Sequence, residues 1–146
     1  MQDSEKITIT PVGVVHCELQ ATKDAPKNYS ESSVTGTLEI FPPYLEAMDG
    51  IIAGSTLVVL FWFDQVRRDT LKVHPRGDRS RGLRGVFATR SPARPNPVAL
   101  SELIVLGVQG NLIEVSGLDV IDGTPIVDIK SVVILPRKQE QRNQAA

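Results

Sequence analysis

The chain has 146 residues, of which 41% are hydrophobic and 23% charged, a composition that indicates one folded domain rather than a disordered protein. Its net charge of −1 gives no overall reason to expect a nucleic-acid-binding protein. Cys17 is the single cysteine, which excludes an intrachain disulfide and a zinc site built from several cysteines.

No segment has the pattern of a membrane span or an export signal. The longest apolar-leaning run, 51–63, is interrupted by small and polar residues and is shorter than the roughly 20 residues that a spanning helix needs. The N-terminal residues contain no basic stretch followed by an apolar one. We therefore expect a cytoplasmic protein.

Apolar periodicity predicts a mainly β structure in the first half of the chain. A strand with a bend is expected over 6–15, and a second strand over 34–40, with a long polar loop, 18–33, between them. A short helix is expected over 43–52. The β-branched and aromatic run 56–63 predicts a strand buried on both faces.

The β pattern continues in the second half. A short strand over 86–89 and a longer one over 98–108 flank a proline-rich loop. The run 111–116 forms a hairpin with the longer strand, and a final strand is expected over 126–134. Seven or eight short strands with one brief helix favour a barrel or a sandwich-like sheet.

Three prolines stiffen the loop between the short strand and the longer one. Pro92, Pro95 and Pro97 fix φ, remove backbone donors and restrict the residues that precede them. The guanidinium of Arg94 and the amide of Asn96 therefore have little freedom left to lose on binding, as a site for a polar or anionic ligand requires. A proline-braced surface loop without a ligand is the alternative interpretation.

Positive charge is concentrated in the segment 67–94, called the basic segment below. It contains nine of the 16 Lys and Arg residues and only two acidic ones, so it carries +7 and leaves −8 for the rest of the chain. This asymmetry favours a local site for a polyanion. The alternative is a solvated loop whose arginines pair with acidic groups elsewhere in the protein.

Common catalytic motifs are missing. The sequence has no G-x-G-x-x-G, no P-loop lysine and no G-x-S-x-G elbow. Two histidines, His16 and His74, are too few for a histidine-rich metal site, and we expect no metal. Four carboxylates stand at strand ends and turns, where they could converge on a ligand or simply form turns and sheet edges: Asp64, Asp119, Asp122 and Asp128.

Two long motifs carry a resemblance to a known family. The run 85–97, GVFATRSPARPNP, resembles the signature GVFATRSPxRPNP of the TsaA-like family. The run 117–130, GLDVIDGTPIVDIK, resembles that family's GLDxxDGTPxxDIK. The segments 11–15 and 60–65 resemble the family's opening strand and a strand that ends in a pair of polar residues. The resemblance covers approximately 9–130.

The resemblance implies a single-domain small β-barrel methyltransferase, which we place at 1–135. The residues 136–146 have nothing apolar left to bury, and we expect them to form a disordered tail. It implies S-adenosylmethionine as the cofactor and a homodimer with the cofactor site near the subunit interface. The implied reaction is methylation of N6 of threonylcarbamoyl-adenosine next to the tRNA anticodon. A cationic sulfonium with a carboxylate tail suits nearby Asp and Arg side chains, and the basic segment suits a tRNA backbone.

The resemblance also implies roles for individual residues. Carried over by position, the cofactor contacts are Asp64, Gln65, Arg90, Leu100, Asp119 and Asp122, with Lys27 as a further candidate. Candidate substrate or interface contacts are Arg94, Asn96, Arg76, Arg79 and Arg84. Because the N6 of a ureido-adenosine is a poor nucleophile, a base or a strong hydrogen-bond acceptor is needed, and Asp64 is the candidate for this catalytic role.

The sequence departs from the family pattern around the expected acceptor. The segment 24–28 stands where the family has Pro-Arg-Gln, Asp64 where it has histidine, and 130–132 where it has Lys-Pro-Tyr. The cofactor is therefore better constrained than the substrate. Two alternatives stay open, namely methyl transfer from S-adenosylmethionine to another RNA or a small molecule, and a non-catalytic S-adenosylmethionine-binding regulatory barrel.

Overall fold

The structure is a computed structural model, and it describes residues 5–20 and 32–133. The strands of its barrel are β1 (Gly13–Cys17), β2 (Thr35–Ile40), β3 (Thr56–Trp62), β6 (Val98–Gln109), β7 (Leu112–Ser116) and β8 (Pro125–Ser131). Two short strands, β4 (Lys72–Val73) and β5 (Arg84–Gly85), pair with each other outside it. The barrel is closed in the order β1-β2-β7-β6-β3-β8, and every neighbouring pair is antiparallel. The prediction of a small, mainly β barrel is confirmed.

The helical content of the described residues is limited to 3₁₀ turns. The longest, Pro42–Met48, overlaps the region 43–52 predicted as helical and begins with two prolines, whose fixed φ suits a first helical turn. The others are Pro75–Gly77, Arg79–Arg81 and Val86–Ala88. Among the described residues, no helix is long and apolar enough to cross a membrane.

The region 86–89 was predicted as a strand and is instead a turn. The backbone N–H of Thr89 donates to the carbonyl of Val86 at 3.1 Å, which closes a 3₁₀ turn. The N–H of Val86 donates to the carbonyl of Leu71 at 2.9 Å. The pairing of β4 with β5 covers only Lys72–Val73 and Arg84–Gly85, and beyond Val86 the local bonds outweigh the β propensity of the sequence. The first strand also begins later than predicted, at Gly13, and the last ends at Ser131.

Strand β3 was predicted to be buried on both faces, and this was wrong for the single chain. Its inward residues Leu57, Val59 and Phe61 are buried in the core, whereas the alternate residues are half-buried on the outer face. A barrel wall has one core-facing side, and among residues 5–20 and 32–133 no second layer covers the outward apolar residues of β3.

Thirteen buried apolar residues form one core inside the barrel. Two of them, Leu118 and Val120, come from the connection between β7 and β8 rather than from a strand. They close one mouth of the barrel and are 0% and 2% exposed. Burial of such side chains stabilises the fold by about 1.5–3 kcal/mol each, so this connection is anchored firmly to the barrel.

The antiparallel order of the strands places three connections at one end of the barrel, called the upper end below. They join β1 to β2, β3 to β6 and β7 to β8. The connections 41–55 and 110–111 lie at the opposite end. The first long motif, 85–97, and the part 117–124 of the second fall in the upper-end connections, and the rest of the second motif continues into β8.

Candidate functional site

Almost all predicted site residues that the structure describes are located in connections at the upper end. The exception is Leu100, which lies within β6. Lys27 lies outside the described residues, as does the predicted tail 136–146, so these two expectations stay predictions. The barrel thus brings together two regions of the chain, 63–97 and 117–124, that carry the chemical groups of the candidate site.

Arg94 holds the proline loop together from inside. Its Nη1 donates to the carbonyl oxygens of Thr89 and Ser91, at 3.3 and 3.0 Å. Its Nη2 donates to the carbonyl oxygen of Val86 at 2.9 Å. A planar guanidinium can hold three carbonyls in this way because its donors form a rigid fork. In the described structure Arg94 therefore shapes the loop, and its predicted contact with substrate or partner stays a prediction.

Arg68 ties the turn after β3 to the same loop. Its Nε donates to the carbonyl of Pro95 at 2.7 Å and its Nη2 to Oδ1 of Asn96 at 3.0 Å. The guanidinium carbon also lies 5.2 Å from the ring centroid of Trp62, within cation–π range. Because the oxygen of Asn96 accepts from Arg68, its NH₂ group is the part of the amide left to donate to another molecule.

Asp119 lies beside the mouth of the barrel, and its carboxylate accepts a hydrogen bond from a side chain inside the barrel. Its Oδ1 accepts a hydrogen bond at 2.8 Å from the hydroxyl of Ser101, which points inward from β6 and is 1% exposed. The hydroxyl of Ser32 also donates to the carbonyl of Leu118, next to Asp119. The flanking residues Leu118 and Val120 are buried in the core, so the carboxylate is held on a rigid backbone.

Asp122 is exposed at the turn that precedes β8. Its Oδ1 accepts from the backbone N–H of Cys17 at 3.1 Å and lies 4.0 Å from Nδ1 of His16. The Nε2 of the same imidazole is 2.7 Å from Oε1 of Glu39. Asp122 therefore links the end of β1 to the connection that carries Asp119.

Asp64 and Gln65 form an exposed turn directly after β3. Within the described part of the chain, neither side chain makes a hydrogen bond or an ion pair. Arg90 is also exposed and stands between the turn 86–88 and the proline loop. A carboxylate that is not engaged by its own chain is available to hold a proton or a cationic group of a ligand.

Leu100 is on the outer face of the barrel rather than at its mouth. It pairs with Leu60 of β3 and is 38% exposed. Further along β6, the outward side chains of Ile104 and Leu106 are 52% and 49% exposed. On this outer face of β6, exposed apolar side chains stand on both sides of the exposed Glu102, and the first of them lies near the upper end.

The basic segment keeps much of its charge available. Arg67 forms a two-bond pair with Asp69, at 3.0 and 2.9 Å, and Arg81 lies 3.5 Å from Asp78. The guanidinium of Arg67 lowers the pKa of the Asp69 carboxyl, and hydrogen bonds from Ser80 lower that of Asp78. Three basic side chains of the segment make no hydrogen bond or ion pair with any described residue: Lys72, Arg79 and Arg84.

A cavity of about 710 Å³ lies elsewhere, beside the 3₁₀ helix Pro42–Met48 and the ends of β3 and β8. Its lining includes Tyr44, Thr56 and Lys130 and none of the predicted site residues. We place the candidate site at the upper end, because the chemically distinctive groups meet there. No group of three or more His, Cys, Asp or Glu side chains that could hold a metal ion is present in the described residues.

Sequence reasoning did not identify two side chains that build the site, Arg68 and Ser101. Arg68 bonds to residues 27 and 28 positions away, and Ser101 to a residue 18 positions away. No local pattern signals such long-range partners. The inward position of Ser101 in an alternating apolar strand was the one available clue, because a buried hydroxyl requires a partner.

Proteins of similar sequence are known from archaea. An S-adenosyl-L-methionine-binding protein of Archaeoglobus fulgidus is 38% identical over 84% of this chain and 86% of its own length. A probable S-adenosyl-L-methionine-binding protein of Methanothermobacter thermautotrophicus is 47% identical over 89% of this chain and 92% of its own length.

A solved structure has the same fold. The crystal structure of TrmO from Pseudomonas aeruginosa matches with a TM-score of 0.72 and 30% identity over 90% of this chain. The match spans 58% of that TrmO chain. Residues 14–135 match the family described as the tRNA-methyltransferase O N-terminal domain. The chain belongs to this family, as its two long motifs indicated.

Proposed function

We propose that the chain is an S-adenosylmethionine-dependent tRNA methyltransferase that methylates N6 of threonylcarbamoyl-adenosine next to the anticodon. The observation that carries the proposal is the convergence of both family motifs at the upper end of the barrel, beside the basic segment. Membership of the tRNA-methyltransferase O family supports a tRNA methyl-transfer reaction. A tRNA substrate agrees with the expected cytoplasmic location.

S-adenosylmethionine fits the groups present at the upper end. Arg90 offers a cation for a carboxylate tail, while Asp64 and Asp119 offer carboxylates for cationic groups. Leu100 offers apolar contact on the adjoining outer face. The names of the relatives, as S-adenosyl-L-methionine-binding proteins, support this assignment. When bound, the cofactor supplies an electrophilic methyl group on a positively charged sulfur.

In this proposal the side chains of the upper end position the acceptor nucleoside and remove the proton from its N6. Asp64 accepts the N6 proton, because its carboxylate is exposed and is not engaged by the described residues. It stands four positions before Arg68, whose side chain bonds to the proline loop. The NH₂ group of Asn96 donates to an acceptor oxygen. Rigid positioning of donor and acceptor supplies much of the rate in an in-line displacement, and the hydrogen bonds of Arg94 provide this rigidity.

We further propose that the chain acts as a homodimer through the outer face of β3 and β6. This face carries the exposed apolar side chains of Leu100, Ile104 and Leu106, with Glu102 between the first two. Contiguous exposed apolar surface is typical of protein interfaces. Since Leu100 is also a candidate cofactor contact, the interface adjoins the cofactor site.

The experiment combines binding with turnover. Calorimetric titration of the purified chain with S-adenosylmethionine should give one binding site for each subunit. Transfer of a labelled methyl group is then measured with tRNA that carries the threonylcarbamoyl group and with the same tRNA lacking it. We expect transfer to the modified tRNA alone. Absence of cofactor binding would contradict the proposal, and transfer only to another RNA would leave the cofactor assignment intact but remove the proposed substrate.

The Asp64→Asn variant tests the catalytic assignment. The amide keeps the size of the side chain but accepts no proton, so methyl transfer should fall by about 10²–10⁴-fold. Because Asp64 is also a candidate cofactor contact, transfer is compared at saturating S-adenosylmethionine. Full transfer with the cofactor still bound would show that Asp64 is not the proton acceptor.

A second candidate function is a non-catalytic S-adenosylmethionine-binding regulator. It is favoured by the aspartate at position 64, where the family pattern has histidine, and by relatives that are named for binding rather than for catalysis. The same experiment separates the candidates, since a regulator binds the cofactor and transfers its methyl group to neither tRNA.

A further inference from the structure

Phe87 is the most exposed aromatic side chain among the described residues, at 84% of its surface. It lies in the first long motif but has no role in the cofactor or acceptor contacts assigned above. Burial of a phenylalanine typically contributes about 1.5–3 kcal/mol, which this chain forgoes. An aromatic ring displayed in this way is a candidate contact for another molecule.

The backbone beneath Phe87 is fixed on both sides. The preceding Val86 is 2% exposed, and its carbonyl accepts from the N–H of Thr89, from the hydroxyl of Thr89 and from Nη2 of Arg94. Its N–H donates to the carbonyl of Leu71. The ring is therefore presented on a rigid turn, and little backbone entropy remains to be lost when it contacts a ligand.

The surroundings of this turn are cationic. Arg84 is three positions before Phe87, and Lys72 pairs with Gly85 across the ribbon of β4 and β5. Neither charged side chain has a hydrogen bond or an ion pair within the described residues. An aromatic face beside uncommitted cations is the arrangement that binds unpaired nucleotides, because the base stacks on the ring while the cations meet the phosphates.

We propose that Phe87 is a stacking platform for an unpaired base of the RNA substrate, with Arg84 and Lys72 contacting the neighbouring phosphates. This inference rests on the proposed tRNA substrate and adds a residue that recognises it. Leu71 and Leu83 are also exposed nearby, at 67% and 61%. The alternative is therefore that this surface contacts a second copy of the chain. RNA is favoured because a symmetric contact here would bring two basic segments together.

The test compares Phe87→Leu with Phe87→Trp. Leucine keeps the apolar character but removes the π-face, whereas tryptophan keeps a stacking surface. The probe is a tRNA carrying the threonylcarbamoyl group, and its affinity is measured by fluorescence anisotropy. We expect Phe87→Leu to weaken binding roughly 5- to 100-fold, and Phe87→Trp to stay within about threefold of the parent.

Leu83→Ala is the matched control, since it removes another exposed apolar side chain of the same ribbon and should leave RNA affinity unchanged. Arg84→Ala should reduce the slope of log affinity against log salt by about one, whereas Phe87→Leu should leave that slope unchanged. Cofactor titration, sedimentation and thermal unfolding of each variant show whether the cofactor site, the oligomeric state and the fold are intact.

Equal affinity of Phe87→Leu and the parent chain would overturn this inference, while methyl transfer by the parent would still support the proposed function. Dissociation of a dimer by both Phe87→Leu and Leu83→Ala would also overturn it and identify the ribbon as a subunit contact. A parent chain that binds no tRNA would contradict both the inference and the proposed function.

Discussion

Arg90 and Arg94 have different surroundings although they belong to one motif. The guanidinium of Arg94 bonds to three backbone carbonyls of its own loop, whereas the side chain of Arg90 is exposed. The sequence alone could not separate these roles, because both arginines stand next to prolines or hydroxyl residues in a charged segment. Their separation depends on how the loop folds back on itself.

Arg94→Lys should destabilise the loop. An ammonium cannot reproduce the planar fork, so at least one part-buried carbonyl loses its donor, at a cost of about 1–3 kcal/mol. Urea unfolding measures the total loss, and hydrogen exchange at 86–91 should show where it occurs. Arg79→Lys is the control, since that exposed side chain has no partner among the described residues. Unchanged exchange in Arg94→Lys would contradict the structural role.

Cys17 should react slowly as a thiol. Burial raises its pKa above the ordinary value, with nearby acidic residues adding to the effect, and its Sγ lies 3.4 Å from the carbonyl oxygen of Val120. The folded chain therefore holds this proton more tightly than the unfolded chain. The corresponding stabilisation is complete below the ordinary pKa, about 8.5, and is lost as pH rises through the raised value.

The measurement is the rate of alkylation of Cys17 as a function of pH. We expect the midpoint for the native chain to lie above that for the chain unfolded in urea. The urea-unfolded chain serves as its own control for reagent chemistry. Coincident midpoints would show that the thiol is not protected in the folded state.

The connection from β7 to β8 is an element that combines core and site. Leu118 and Val120 point into the barrel, and Asp119 between them carries a candidate cofactor contact. This element is sensitive to the strand beneath it. A Cβ atom at Gly36 would lie 2.5 Å from Cδ1 of Leu118 and 2.7 Å from the carbonyl oxygen of His16.

Gly36→Ala should therefore displace Leu118 and shift Asp119. We expect a loss of about 1–3 kcal/mol in unfolding free energy, together with weaker binding of S-adenosylmethionine. Gly107→Ala is the matched control, because its Cβ would meet its nearest neighbour, Oε2 of Glu114, at an ordinary 3.6 Å. If both variants had parental stability and cofactor affinity, Gly36 would not be a packing requirement.

At the level of elements, much of the barrel could be predicted from the sequence. The alternation of apolar residues over 34–40 and 111–116 predicted β2 and β7 closely, since each has one face in the core. The turn 86–88 was missed because its valine and phenylalanine have β propensity while its bonds are local. The hydrogen bonds from Arg68 to the proline loop were not predicted, because Arg68 and its partners are distant in sequence.

For the whole molecule, the apolar outer face of β3 and β6 is the main feature that the single chain does not explain. It is the reason that β3 resembled a strand with two buried faces. In the proposed homodimer this face is covered, so Ile104→Glu should convert the dimer to a monomer while stability changes little, because Ile104 is 52% exposed.

Sedimentation over a range of protein concentrations measures this change. Thr35→Glu, at an exposed position of β2, is the control and should leave the dimer intact. A parent chain that sediments as a monomer would contradict the proposed homodimer, and an Ile104→Glu dimer would place its interface on another face.

The central claim is that the upper end of the barrel transfers a methyl group to N6 of threonylcarbamoyl-adenosine. The most direct measurement is mass spectrometry of nucleosides released from modified tRNA after incubation with the chain and S-adenosylmethionine. The account predicts that threonylcarbamoyl-adenosine gains one methyl group and that fragmentation locates it on the base nitrogen N6. A methyl group on any other nucleoside or atom, or none in a preparation that binds the cofactor, would contradict it.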